Sequence, residues 1–493
     1  MRTSAKYERA RRGSVLVIVL WIAFGLVSLA LYFANSMTFE LRASDNRVSA
    51  MAAEQAIDGA ARYVNYLLAT NAANGSNGLF LTLSDNQCRA VPVGDARFWL
   101  IGRDTNAPVG PGHICFGLVD EASKLNLNLA ATQPLAASNA LIWLPGMTLD
   151  LTQAILDWVN TNATGPTVTY YAMQQPPYQC KGEPFETVDE LRLLYGADMD
   201  MLIGEDANRN GILDPNENDA NQNGMLDPGV LEYVTVYSRE PNTNSDGSAK
   251  VNISALTSAQ AQMLLTNLDT ARAQAIMNNL GLTSGGASAT AARGGTGASN
   301  RGGATGSSGG ASSGGSGGGG SGGGTAQVSF ASPLQFYDKS QMTMTEFALV
   351  ATNLTTTNGT YIIGRVNVNT ASATVLTCLL QGDTAAAQQL VSYRQSNPNN
   401  LTSIAWVKDA LGQSYQADLT DLEKWDIITT CSYQYTADIA AVGPYGRGYR
   451  RVKFIFDTSS GTPRILYRQD LTNLGWALGK EERQTALLAK KAS

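Results

Sequence analysis

Residues 15 to 34, VLVIVLWIAFGLVSLALYFA, are twenty apolar residues without a charge. At 1.5 Å per helical residue they cover the roughly 30 Å hydrocarbon core of a bilayer. Five basic residues, Arg2, Lys6, Arg9, Arg11 and Arg12, precede them against a single acid, Glu8. By the positive-inside rule this cluster keeps the N-terminus in the cytoplasm and delivers everything after Asn35 to the other side. A secretory signal would have a shorter apolar core followed by small residues, whereas this chain runs on as a helix. From 40 to 68, Glu40, Arg42, Asp45, Arg47, Glu54, Asp58 and Arg62 alternate with Ile57, Ala60, Ala61, Val64, Leu67 and Leu68, which places one apolar stripe on a helix. The expectation is one continuous helix, half in lipid and half packed on a folded domain.

A chain of 493 residues holds two to four domains at about 150 residues each. The formal net charge is −6 although the leading segment is basic, so the body is strongly acidic. Such a body repels phosphate backbones and argues against nucleic acid as a partner. Five widely spaced cysteines and one histidine, His113, give no zinc cluster. Their spacing suits an oxidising compartment, with Cys88–Cys115 and Cys378–Cys431 as the expected disulfides and Cys180 left over; the alternative is five buried thiols.

Residues 95 to 119 and 449 to 471 each alternate apolar and polar positions around a turn, as β-hairpins do. Hairpins at opposite ends of the soluble chain predict one small antiparallel sheet packed on the stem helix, with a large insertion between them, an α+β fold. Inside the insertion Leu125-Asn126-Leu127-Asn128 recurs as Val366-Asn367-Val368-Asn369, with Val251-Asn252-Ile253-Ser254 as a weaker copy. Helical stretches follow, at 154–160 and 184–196 after the first and at 388–395 and 401–412 after the Val366 copy, so repeated small helical modules are expected. The asparagines are read as bonding neighbouring backbone and capping helices. Residues 284 to 325 are almost pure Gly, Ser, Ala and Thr and are predicted to be a disordered loop. Their Gly314 to Gly318 matches G-x-S-x-G only formally, with no strand before it or helix after it.

Asp206, Asn208, Asn210, Gly211, Ile212, Asp214 and Glu217 fall at positions 1, 3, 5, 6, 7, 9 and 12 of an EF-hand-type loop. Hard Ca²⁺ takes six to eight oxygens, and this register supplies side-chain oxygens, one carbonyl and a bidentate carboxylate. The pattern restarts thirteen residues later as Asp219, Asn221, Asn223, Gly224, Met225 and Asp227, but Val230 holds the twelfth position and cannot ligate. Asp219 or Glu232 are the acids expected to complete the second shell, and the number of ions, one or two, stays open. This tandem spacing resembles dockerin and thrombospondin type 3 calcium repeats. Calcium is therefore the expected cofactor, bound weakly because asparagine replaces aspartate twice per loop. The bland reading is a polar loop rich in Asx turns. No nucleophile–base pair or phosphate loop stands out, so no enzyme is expected.

Arg11-Arg12-Gly13 immediately before an uncharged apolar helix resembles the type III leader of type IV pilins and type II secretion pseudopilins. That resemblance implies cleavage between Gly13 and Ser14 by a prepilin peptidase and N-methylation of Ser14. Most such proteins carry a glutamate at the fifth mature position, which pairs with a neighbour's terminal amine; here it is Ile18. With the DEASKLNLN segment (120–128) and GRVNVNTAS (364–372), the departure resembles the K-type minor pseudopilins, the general secretion pathway protein K family. The resemblance implies a structural subunit capping the tip of a periplasmic pseudopilus. It implies anchorage in the inner membrane with the N-terminus cytoplasmic, and other minor pseudopilins as partners, with secreted substrates as a further candidate. The expected layout is 1–13 leader, 14–70 stem, 71–119 pilin-like β part, 120–203 first helical module, 204–230 calcium loops and 231–283 strand and helical segment. The disordered loop (284–325), second helical module (326–430), C-terminal β part (431–478) and polar tail (479–493) follow. A membrane-anchored calcium-binding adhesin and a pilus or DNA-uptake minor pilin are the alternatives.

Overall fold

A computed structural model describes residues 8–76, 78–105, 113–282 and 327–491. The glycine-rich stretch 284–325 and the first seven leader residues lie outside the described residues. Contacts divide the chain into two compact units, one of Met1–Pro241, Ile363–Pro398 and Ile428–Ser493, the other of Asn242–Ile362 and Asn399–Ile427.

In the first unit helix α1 runs without a break from Glu8 to Asn71, 64 residues, taking in the backbone of Gly13 and Ser14. Its side chains from Val15 to Phe33 are exposed hydrocarbon, as a segment bathed in lipid requires. From Ala53 onward the stripe Ala53, Ala56, Ile57, Ala60, Ala61, Val64 and Leu68 is buried, while Glu54, Asp58 and Arg62 face water. The small alanines let the helix lie close on the sheet.

That sheet is antiparallel, built from β1 (Val91–Val93), β2 (Ala96–Ile101), β3 (Val119–Asp120), β4 (Gln434–Gly443), β5 (Arg447–Asp457) and β6 (Arg464–Asp470). The main path is β1-β2-β4-β5-β6, with β3 also on β4. Phe98, Leu100, Tyr435, Ile439, Val452, Phe454 and Phe456 meet the stem, each burial contributing about 1.5–3 kcal/mol. Gly443 and Gly448 allow the β4–β5 turn to touch the stem backbone at Ser49; a side chain at either would fall inside van der Waals contact.

The C-terminal hairpin is present as β5 and β6. The N-terminal one differs from expectation. β2 turns through Gly94 and Asp95 onto β1, a two-residue loop whose Gly94 takes a positive φ of 59°. Beyond β2 the expected pairing is short, Gly102 N–H to Cys115 O at 2.8 Å and Gly117 N–H to Leu100 O at 2.9 Å. Strand β4 had no sequence signal: it is central and buried at every position, so it lacks the alternation of a half-exposed strand.

The inserted part repeats a two-residue parallel ladder. Leu125–Asn126 pairs with Val234–Thr235, Val251–Asn252 with Leu354–Thr355, and Val366–Asn367 with Ile428–Thr429. Each asparagine accepts from the N–H two residues on, at 2.9, 2.9 and 3.0 Å for Asn126, Asn252 and Asn367. Each partner strand ends in a threonine whose hydroxyl accepts from the N–H two residues on, those of Tyr237, Thr357 and Cys431. Short helices fill the chain between the members of each ladder. The expected 184–196 helix is only a 3₁₀ segment, Val188–Leu193, started by a Thr187–Glu190 capping box.

In the second unit the helices Ser258–Leu264, Thr270–Asn279, Pro333–Ser340, Met344–Ala348 and Ala405–Leu411 bury Phe336, Phe347 and Trp406. Arg272 holds Glu346 bidentately at 2.8 and 2.9 Å.

Two adjacent acids join the ladders of the first unit to its sheet. Asp120 accepts from Asn367 at 3.0 Å, Ser432 at 2.5 Å and Thr370 at 2.6 Å. Glu121 accepts from Thr436 at 2.6 Å, Lys124 at 3.1 Å and Thr235. Burial pushes the Asp120 carboxyl up to about 6, against the pull of those donors. An acid raised in the fold holds its proton where the unfolded chain has lost it, so its contribution to stability is full below pH 4 and is lost as pH rises through 6. Wild type should therefore gain up to about 3 kcal/mol relative to Asp120→Asn between pH 7 and pH 4. Urea unfolding of both proteins at the two pH values measures this; a constant difference would mean that Asp120 does not titrate on folding.

Candidate calcium-binding site

The acidic loops lie in the first unit and repeat each other in detail. Asp206 accepts from the N–H groups of Asn210 and Gly211 at 2.9 and 2.8 Å; Asp219 does the same for Asn223 and Gly224 at 3.2 and 2.8 Å. Asn210 and Asn223 accept from Ile212 and Met225 at 3.0 and 2.6 Å. Arg209 and Gln222, the fourth residues, both take φ of 57°, and Gly211 and Gly224 take 85° and 71°. This local chemistry is the Asx-turn preference of Asp and Asn, which coils the backbone around a centre lined with oxygens.

The twelfth-position acid of the first loop is present and engaged. Glu217 accepts from Asn208 N–H at 3.1 Å and Asp214 N–H at 2.9 Å. In the second loop the same place is taken by Glu205, which accepts from Ala220 N–H at 2.7 Å and Asp227 N–H at 3.1 Å. Glu205 precedes the first loop by one residue, so the sequence register offered no signal for it. Of the two acids expected there, Asp219 serves its own loop at position one, and Glu232 is held by Arg103 at 2.6 and 3.1 Å.

The donor set suits a hard cation once the Asn208 amide turns. Among the described residues no three His, Cys, Asp or Glu side chains converge as a metal group; the site depends on asparagine. Asn208 and Asn210 point their amide nitrogens at one oxygen of Asp214, at 2.6 and 2.8 Å, and Asn208 Oδ1 is buried without a partner. Half a turn of the Asn208 amide would exchange nitrogen for oxygen and add its partnerless Oδ1 to the carboxylate oxygens of Asp206, Asp214 and Glu217 as donors for a hard cation, while Asn210 Oδ1 stays on the Ile212 N–H. Burial pushes the Asp206 carboxyl up, opposed by Arg103. Burial also raises Glu217, with Asp206 and Asp214 adding to it against two backbone hydrogen bonds. A divalent ion would relieve both. Asp206, Asn208, Asn210 and Asp214 are buried, whereas Asn221, Asn223 and Asp227 are exposed, so the first loop is the stronger candidate. Glu205→Gln should weaken one class of calcium sites about tenfold and leave the other, because it removes a carboxylate from the second loop alone. Calorimetric titration counts the classes; an unchanged isotherm would exclude Glu205.

Two guanidinium groups seat the first loop on the sheet. Arg451 on β5, 0% exposed, binds Asp438 on β4 at 2.8 and 2.5 Å and donates to the carbonyls of Asn208 and, at 2.7 Å, Arg209. Arg103 donates to the carbonyls of Arg209 at 3.1 Å and Asn210 at 3.4 Å. The expected Cys88–Cys115 and Cys378–Cys431 disulfides are not present in the structure. Cys88 lies in the core between stem and sheet with its thiol on the Ser84 carbonyl at 3.2 Å, Cys378 is buried on the helix Ala373–Leu379, and Cys115 faces the His113 carbonyl at 3.9 Å.

A long apolar stem laid on an antiparallel sheet, with helical modules inserted between its strands, defines a pilin-like α+β subunit. Residues 123–202 and 366–422 match two models described as type II secretion system (T2SS), protein K. These two domains support a minor pseudopilin of the protein K type, a structural component of type II secretion. A solved chain in the GspK-GspI-GspJ complex of the enterotoxigenic Escherichia coli type 2 secretion system is similar at 10% identity, over 85% of this chain and 97% of that one, with a TM-score of 0.38. No curated protein matches the chain.

Proposed function

We propose that this minor pseudopilin caps the tip of a periplasmic pseudopilus, anchored in the inner membrane with its N-terminus cytoplasmic, and that calcium orders its head. The observation that carries the tip reading is Ile18, an apolar residue where a fibre subunit carries the carboxylate that pairs with a neighbour's amine. No acid stands anywhere between Ser14 and Phe39. An unpaired carboxylate in hydrocarbon is costly, and a terminal subunit has no use for one. The calcium reading rests on the buried, partnerless Asn208 Oδ1 beside three carboxylates.

Other minor pseudopilins are the proposed partners, packing along the stem between membrane and sheet, where Met37, Leu41, Val48 and Met51 are exposed on one face of the helix. An aqueous apolar stripe of this kind is stabilised by a second helix. Co-expression with the prepilin peptidase and the other minor pseudopilins of the same system tests the assignment. The expected product lacks residues 1–13, carries one methyl group on the Ser14 amine, and copurifies with partners whose binding is lost when Leu41 and Val48 become serine. An intact leader on the membrane-embedded protein, or no partner retained by the stem, would favour a free-standing calcium-binding adhesin.

A further inference from the structure

The face of the sheet turned away from the stem changes character along β4 and β5. At one end Trp99, Ile101, Ala440 and Val442 form a small apolar cluster with Ala477 and Leu478. Farther along, Thr436, Asp438, Arg451 and Lys453 point the same way, under the first calcium loop. A cavity of about 50 Å³ lies there, its wall including Arg103, Lys124, Arg209, Glu232, Asp438 and Lys453.

The charges of this wall do not balance. Arg103 is paired with Glu232, Lys124 with Glu121 at 3.1 Å, and Asp438 with Arg451 at 2.5 Å. Those pairs engage both acids of the wall. Lys453 and Arg209 remain, and neither side chain makes a hydrogen bond or ion pair among the described residues. Burial, with Lys124 beside it, pulls the Lys453 amine down against the opposing pull of Glu121 and Asp438. Two cations facing one cavity whose acids are already engaged by other cations carry a desolvation cost and repel each other. The space exceeds the roughly 10–15 Å³ that one water needs, so it admits a small ion.

We propose that this cavity binds a small inorganic anion, from chloride to phosphate in size, between the Lys453 ammonium and the Arg209 guanidinium. The anion supplies the acceptor both cations lack. It also ties the calcium loop to the sheet, because Arg209 stands between Asn208 and Asn210 in that loop. The site does not depend on calcium being bound, since its wall is protein charge alone.

The test melts the full-length protein in detergent with excess EGTA, replacing gluconate by chloride, bromide or phosphate at constant ionic strength. The expected result is a saturable rise of about 5 °C with at least one of these anions, lost in both Lys453→Met and Arg209→Gln. Bromide-soaked crystals should show an anomalous peak between the two side chains. Equal melting in every anion, a rise that persists in either variant, or a cavity holding only water would overturn the proposal. Loss of calcium binding with the anion response intact would count against the calcium reading alone.

Discussion

Chelating calcium from the full-length protein is expected to lower its melting temperature, and Asp206→Ala should remove the difference between the chelated and calcium-loaded states. Without an ion the first loop is held by competing demands. Asp214 accepts two amide nitrogens on a single oxygen, Asn208 Oδ1 has no partner, and Asp206 and Asp214 add to the burial that raises Glu217. An ion satisfies all three at once. Loops built with two asparagines bind at the weak, extracellular end of the range, with Kd on the order of 0.1 mM. At a hundredfold excess of calcium the native state gains about 2.7 kcal/mol. Hydrogen exchange locates the effect, since the N–H groups of Asn208, Asn210, Gly211 and Asp214 should be protected by calcium and those of β5 should not change. Identical melting with EGTA and with calcium, together with a flat binding titration, would remove calcium from the account.

Arg451→Met is expected to cost about 3–5 kcal/mol, the range for breaking a buried ion pair from one side. It takes from the buried Asp438 carboxylate its bidentate partner, and it takes donors from the Asn208 and Arg209 carbonyls. The second variant, Asp438→Leu with Arg451→Met, should recover part of that loss, because two apolar residues do not leave an unpaired charge. The two effects on calcium separate the roles. Both variants should bind calcium more weakly, since both lose the seat of the loop, while only the single variant is strongly destabilised. Denaturant unfolding and calcium titration of the three proteins check this; a single variant as stable as wild type would show that Asp438 is solvated.

Much of the stem was legible because lipid and helix geometry act locally. Twenty uncharged residues need no tertiary context to demand a membrane, and the Ala53-to-Leu68 stripe declares its face by period alone. The coiling of the acidic loops was legible for the same reason: Asp and Asn at alternate positions bend their own backbone. The asparagine half of each ladder was visible as a repeat, whereas the threonine half was not, because Val234–Thr235, Leu354–Thr355 and Ile428–Thr429 are two-residue strands with no period to detect. Strand β4 was missed because a strand buried on both faces loses alternation, and β1 because three residues with a central proline make only an edge strand. The expected disulfides are absent for a related reason, since spacing says nothing about which element the fold brings beside a thiol: Cys88 lies between stem and sheet and Cys378 is buried on a helix.

Local pattern thus settled the anchor, its amphipathic continuation, the coiling of the acidic loops and the existence of repeated modules. Tertiary structure decided what those pieces meet. Glu205 closes the second loop from outside its register, Arg103 and Arg451 seat the first loop on the sheet, and Asp120 and Glu121 join two ladders to one strand. These contacts unite residues up to 315 positions apart, as for Glu121 and Thr436. Periodicity carries information only over a few turns or strand residues, while a buried charge takes its partner from whichever element the fold brings beside it.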